Sequence, residues 1–145
     1  MKGRAIAVLV WGVLFLACNR GDDSFREVKD KDMILQVSEI KDKAPGDESL
    51  TYKARLIPSK VLTENETIEQ KRLLSYKMDS CFYINDGHHK NYASMVQAVA
   101  NGVSGTYEYL LVFELDKNES KDSVDLLYQD RYINHKLYEL KLNKQ

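Results

Sequence analysis

The chain has 145 residues, 43% of them hydrophobic and 30% charged, with a formal net charge of −1. That balance is globular rather than disordered, and it leaves no electrostatic footprint for nucleic acid. Two cysteines, two prolines and seven glycines exclude a disulfide scaffold and a linker-rich, low-complexity protein.

Residues 1–17 stand apart from the rest. Lys2 and Arg4 precede an uncharged run from Ala5 to Ala17 (AIAVLVWGVLFLA), and Cys18 follows at once. A helix that crosses a bilayer needs about 20 apolar residues, so this shorter run reads as the core of a secretory signal peptide. An ordinary signal-peptidase cut after Ala17 would force Phe15 into a site that takes small residues. The stretch Phe15-Leu16-Ala17-Cys18 instead resembles the lipobox of bacterial lipoproteins, with Phe where Leu is usual. The resemblance implies that Cys18 becomes a thioether to diacylglycerol and that its freed amine is acylated. Two or three acyl chains anchor a protein stably, where one is marginal. Asp22-Asp23 is similar to the acidic export signals of Bacteroidota surface lipoproteins, and Asn19 is not the Asp of an inner-membrane retention signal. The implied location is the cell envelope, lipid-anchored in the outer membrane, on its periplasmic or surface side.

Between Asn19 and Asp32 most side chains are charged, including Arg20, Asp22, Asp23, Arg26, Glu27 and Lys29. Such a stretch buries no core, so 18–32 is expected to be the lipidated cysteine plus a solvated tether spanning roughly 20 Å.

From residue 33 the apolar pattern has a period of two. Candidate strands are Met33–Ile40, Thr51–Ile57 (closed by Pro58), Leu74–Ile84, Tyr92–Val99, Thr106–Leu115, Val124–Gln129 and Lys136–Leu142. In Leu74–Ile84 the alternation puts Leu74, Tyr76, Met78, Phe82 and Ile84 on one side, and Lys77, Asp79 and Cys81 on the other. Thr106–Leu115 is the most regular, with Tyr107, Tyr109, Leu111, Phe113 and Leu115 on one face. Turn residues separate the candidates at Pro45-Gly46-Asp47, Asp86-Gly87, Asn101-Gly102 with Gly105, and Asp116 to Asp122. About seven short strands predict an all-β domain over 33–145, built as a two-sheet sandwich. The spacing Thr63-x-x-Glu66 matches a capping box and leaves room for one short helix; an α+β fold is the alternative.

Phe82-Tyr83-Ile84-Asn85-Asp86-Gly87 followed by Tyr92, and Gly105 leading into Leu110, Val112 and Phe113, resemble the strand–turn–strand pattern of immunoglobulin-like domains in bacterial lipoproteins. That resemblance implies an immunoglobulin-like sandwich and carries no common catalytic function.

Constellations that carry chemistry are sparse. Asp116-Lys-Asn118-Glu-Ser120-Lys-Asp122 spaces oxygen ligands like the start of a calcium loop, but Lys121 and Leu127 stand where an EF-hand needs Gly and Glu. His88-His89 lacks metal-ligand spacing, and His135 is far away. Cys81 with a nearby histidine lacks any visible oxyanion device. No metal, cofactor or catalytic residue is therefore expected.

Nine tyrosines are the most unusual feature of the composition. Tyr128, Arg131, Tyr132 and Tyr138, with His135 and Lys136, form a candidate binding surface, because Tyr and Arg favour interface centres. The competing reading is that tyrosine suits half-buried strands. The sum is a lipid-anchored, non-catalytic module that binds another protein or a glycan in the envelope. The alternative is an outer-membrane lipoprotein subunit of a secretion or assembly machine.

Overall fold

The computed structural model describes residues 25–41, 46, 48–85, 89–115 and 123–143. The signal-peptide segment, Cys18, His88 and the Asp116–Asp122 loop lie outside the described residues. In chain order the elements are β1 (Arg26–Lys29), β2 (Met33–Glu39), β3 (Leu50–Pro58), α1 (Lys60–Glu64), α2 (Ile68–Tyr76), β4 (Phe82–Asn85), β5 (Lys90–Tyr92), β6 (Met95–Val99), β7 (Tyr107–Phe113), β8 (Ser123–Gln129) and β9 (Leu137–Asn143). They build an all-β sandwich. One sheet has the order β1-β2-β3-β7-β6 and the other β5-β4-β8-β9, and every neighbouring pair is antiparallel. The order sets three consecutive strands side by side, whereas immunoglobulin domains divide their strands as ABED and CFG.

The core lies between the sheets and follows the period-two pattern. In β2 the buried residues are Met33, Leu35 and Val37; in β3 they are Leu50, Tyr52, Ala54 and Leu56; in β7 they are Tyr109, Leu111 and Phe113. Facing them are Phe82 and Ile84 of β4, Val124, Leu126 and Tyr128 of β8, and Tyr138 and Leu140 of β9. Phe82 stacks on Tyr128 at 4.8 Å between ring centroids, and Tyr128 on Tyr138 at 6.2 Å.

Four expectations change. First, the charged stretch does not remain a spacer up to Asp32, because Arg26–Lys29 pairs with β2 as an edge strand. Val28 packs on the core, and the Arg26 guanidinium reaches the opposite sheet, donating to the Lys141 carbonyl at 2.8 Å. Secondly, Leu74–Ile84 is not one strand. Leu74 to Tyr76 finish α2, and only Phe82 onward is extended. Leu74 is buried from α2, and Met78 and Cys81 are buried from the connection between α2 and β4.

Thirdly, the capping box is one turn later than expected. Thr67 accepts from the Gln70 N–H at 3.1 Å while Gln70 accepts from the Thr67 N–H at 2.8 Å. Thr63 instead donates to the Ser59 carbonyl within α1, so there are two short helices and not one. Fourthly, Tyr92–Val99 is two strands in different sheets. The chain changes sheet at Ala93-Ser94, where Ala93 N–H bonds to the Phe82 carbonyl and Ser94 N–H to the Val112 carbonyl.

Candidate binding site

Helix α2 buries one side chain, Leu74, so apolar packing alone does not hold it. Tyrosines do. Tyr109 of β7 donates to the Leu74 carbonyl at 2.7 Å, and Tyr132 donates to the Lys77 carbonyl at 2.7 Å. Tyr107 donates to Glu66, just before the helix, and Gln70 donates back to the Tyr132 carbonyl at 2.8 Å. Burial and the Glu66 contact both push the Tyr107 hydroxyl up from its ordinary value, so it stays a donor.

These bonds place the end of α2 beside β6, and a groove opens between them. Its two lobes, of about 540 and 420 Å³, meet at Ser75, Tyr76, Ala98 and Tyr109. Met78 and Val96 line one lobe, and the loop 100–104 overhangs the other. That loop is held by Gly105, whose φ of +72° suits glycine and where a β-carbon would meet Thr63 Cγ2 at 2.5 Å. The rim exposes large apolar side chains: Tyr76, Met95, Val99 and Val103. Several such residues meeting at a groove mark an interaction surface more than scattered ones do.

Beyond β6 the outer face of its sheet carries Glu108, which Lys53 pairs at 3.1 Å and Arg55 at 2.8 Å. Burial raises its carboxyl, but the Arg55 and Lys53 hydrogen bonds outweigh that and hold it below the usual carboxylate range. Its charge is already matched.

The residues singled out as a binding surface fall elsewhere. Tyr128 and Tyr138 are core residues, Tyr132 is half-buried and Arg131 is exposed. Two rings stacked inside the sandwich cannot face a partner, so that surface is not assembled as expected. The loop they flank is instead a structural knot around Asp130, whose carboxylate accepts from the Tyr128 hydroxyl and from backbone N–H groups of Tyr132 to His135. Next to it, Lys136 bridges Asp30 and Asp32 at 2.6 Å each, and Tyr138 donates to Asp30. An Asp directly before the polar turn is the signal that identifies such a loop.

The Lys136 hydrogen bond holds the Asp30 carboxyl well below the usual range, aided by the Asp32 and Met33 N–H groups. A carboxyl lowered in the folded state adds stability above its unfolded value of about 3.9, and that stability is lost as pH falls towards the folded value. Wild type is therefore expected to be more stable than Lys136→Met at pH 6, with the difference narrowing below about pH 4. Denaturant melts at a series of pH values check this. A difference independent of pH removes the bridge as its cause.

Cys81 is fully buried in the turn before β4, not on the polar side of a strand as expected. Burial pushes its thiol up to about 11, against a smaller opposing pull from Arg131. A thiol so protonated and enclosed is a poor nucleophile. Cys81 is expected to resist a thiol reagent at pH 8 in the folded chain and to react once denaturant is added. Fast labelling of the folded chain would show that the turn opens. His89 is exposed, and His135 has a left-handed backbone with its N–H on Asp130. Among the described residues no group of three or more His, Cys, Asp or Glu is placed to hold a metal ion. Among them, too, no helix is long and apolar enough to cross a membrane.

No family model, curated protein or solved structure matches the chain.

Proposed function

We propose that this is a lipid-anchored envelope protein, held in the outer membrane through Cys18, whose sandwich acts by binding another protein and not by catalysis. The observation that carries the anchor is Phe15-Leu16-Ala17-Cys18 directly after a basic start and the apolar run Ala5–Ala17. The observation that supports a binding role is the groove between α2 and β6, whose rim exposes Tyr76, Met95, Val99 and Val103. The anchor keeps the domain at the membrane, and the groove supplies the contact.

Cys18→Ala is expected to abolish lipid attachment and release the chain from the membrane fraction. Incorporation of a clickable palmitate analogue into wild type and variant measures it. Equal labelling of both discards the anchor. Recovery of the lipidated chain in a stoichiometric complex with envelope machinery would assign it to the assembly-subunit alternative.

A further inference from the structure

We propose that the occupant of the β6 edge is a second copy of this chain, paired antiparallel about a two-fold axis at Gln97. The inference rests on reading the β6 side of the sandwich as an interaction surface, and lipidation plays no part in it.

The edges of the two sheets differ in how they are guarded. On one side β1 and β9 close on each other through the Arg26 bond to the Lys141 carbonyl. On the other side β5 is three residues long and carries Lys90. The remaining edge, β6, reads Met-Val-Gln-Ala-Val. It has no charge and no proline, two of the devices that keep an edge strand from pairing. Its free side presents unpaired backbone groups, and Met95 and Val99 are exposed.

A two-fold interface must be complementary to itself. Pairing about Gln97 sets Met95 opposite the partner's Val99, Val96 opposite the partner's Ala98, and Gln97 opposite the partner's Gln97. All of these pairs are uncharged. The same operation on β1 would set Arg26 opposite the partner's Lys29, and like charges directly opposite are repulsive. The register with β7 puts Met95, Gln97 and Val99 on the outer face with Val112, Leu110 and Glu108. Val96 and Ala98 face the groove, where α2 stands far enough from β6 to leave two open lobes. The groove gives the added strand room on its inner side. The result is one continuous ten-stranded sheet, with Met95 of each copy set beside the partner's Val99.

The test uses the full chain carrying two different tags, co-expressed, solubilised in detergent and captured by one tag. Wild-type copies are expected to bring each other down. With Gln97→Lys in both copies, recovery should fall about tenfold or more, because like charges then meet at the axis. Combining Gln97→Lys in one copy with Gln97→Glu in the other should restore it, which loss of folding would not do. Detergent is kept at a large excess of micelles over chains, so that two lipidated copies do not share a micelle by chance. Equal recovery with Gln97→Lys in both copies therefore overturns the pairing, as does failure of wild-type copies to co-purify. Either failure leaves palmitate labelling of Cys18 unaffected.

Discussion

Phe113→Ala is expected to destabilise the sandwich by about 3–5 kcal/mol. Phe113 ends β7, fully buried, with its ring edge-on to Tyr52 at 6.1 Å and 64°. Cross-strand pairing sets it beside Leu50 of β3, within the core between the sheets. Truncation removes its transfer free energy and leaves a cavity between sheets that relax only partly. Against a total stability of roughly 5–15 kcal/mol, that lowers the melting temperature by about 10 °C or more. Ile68→Ala is the comparison, because Ile68 is also a large apolar residue but is 87% exposed. It should change stability by no more than about 0.5 kcal/mol. Urea melts of both variants decide it. Similar costs for the two would mean that Phe113 does not sit in the core.

The contrast between those two residues also explains which parts of the fold were legible. In β2, β3 and β7 one face meets the opposite sheet and the other meets solvent, so burial imposes a period of two on the sequence. Leu74 lies in α2 while Met78 and Cys81 lie in the connection after it, so neither a period of two nor one of 3.6 places all three. What decides is tertiary. Tyr109 and Tyr132 bind the carbonyls at the end of α2, and those partners come from 35 and 55 residues away. In β1 the charges that read as a spacer are those of a short edge strand, with Arg26 turned towards the other sheet.

The site was less legible than the fold, for a related reason. Tyrosine has the same composition signal whether its ring is stacked in a core, as in Tyr128 and Tyr138, or bolts a helix to a sheet, as in Tyr109. Nothing in Met-Val-Gln-Ala-Val distinguishes an edge strand from a central one. That difference arises from the sheet order, which leaves β6 with β7 on one side only. The groove then depends on Tyr76 and Val99 being brought together by bonds that no local pattern announces.

Asp130→Ala is expected to cost about 3–4 kcal/mol, nearly as much as losing a core ring. Asp130 is 1% exposed, and its carboxylate takes the Tyr128 hydroxyl at 2.7 Å, Ile133 N–H at 3.0 Å and His135 N–H at 2.8 Å, with Tyr132 and Asn134 N–H also turned to it. Alanine leaves these donors without an acceptor, and a buried donor left unpaired costs about 1–3 kcal/mol. Tyr132, Ile133 and Asn134 are only half-buried and His135 is exposed, so solvent can serve some of these donors and the sum stays below the full count. His135 also holds a φ of +59°, a conformation that costs a non-glycine residue about 1 kcal/mol and that its bond to Asp130 offsets. Asp130→Asn keeps one oxygen but turns an NH₂ group towards N–H donors, so it should lose a substantial part of the same stability. The effect should also travel. The loop carries Tyr132 to α2 and Lys136 to Asp30, so releasing it removes the Tyr132 bond that fixes the end of α2 beside β6. Amide hydrogen exchange in α2 is therefore expected to speed up in Asp130→Ala at temperatures where the sandwich strands stay protected. A cost below about 1 kcal/mol, with α2 exchange unchanged, would mean that the backbone of the loop holds its shape without the carboxylate.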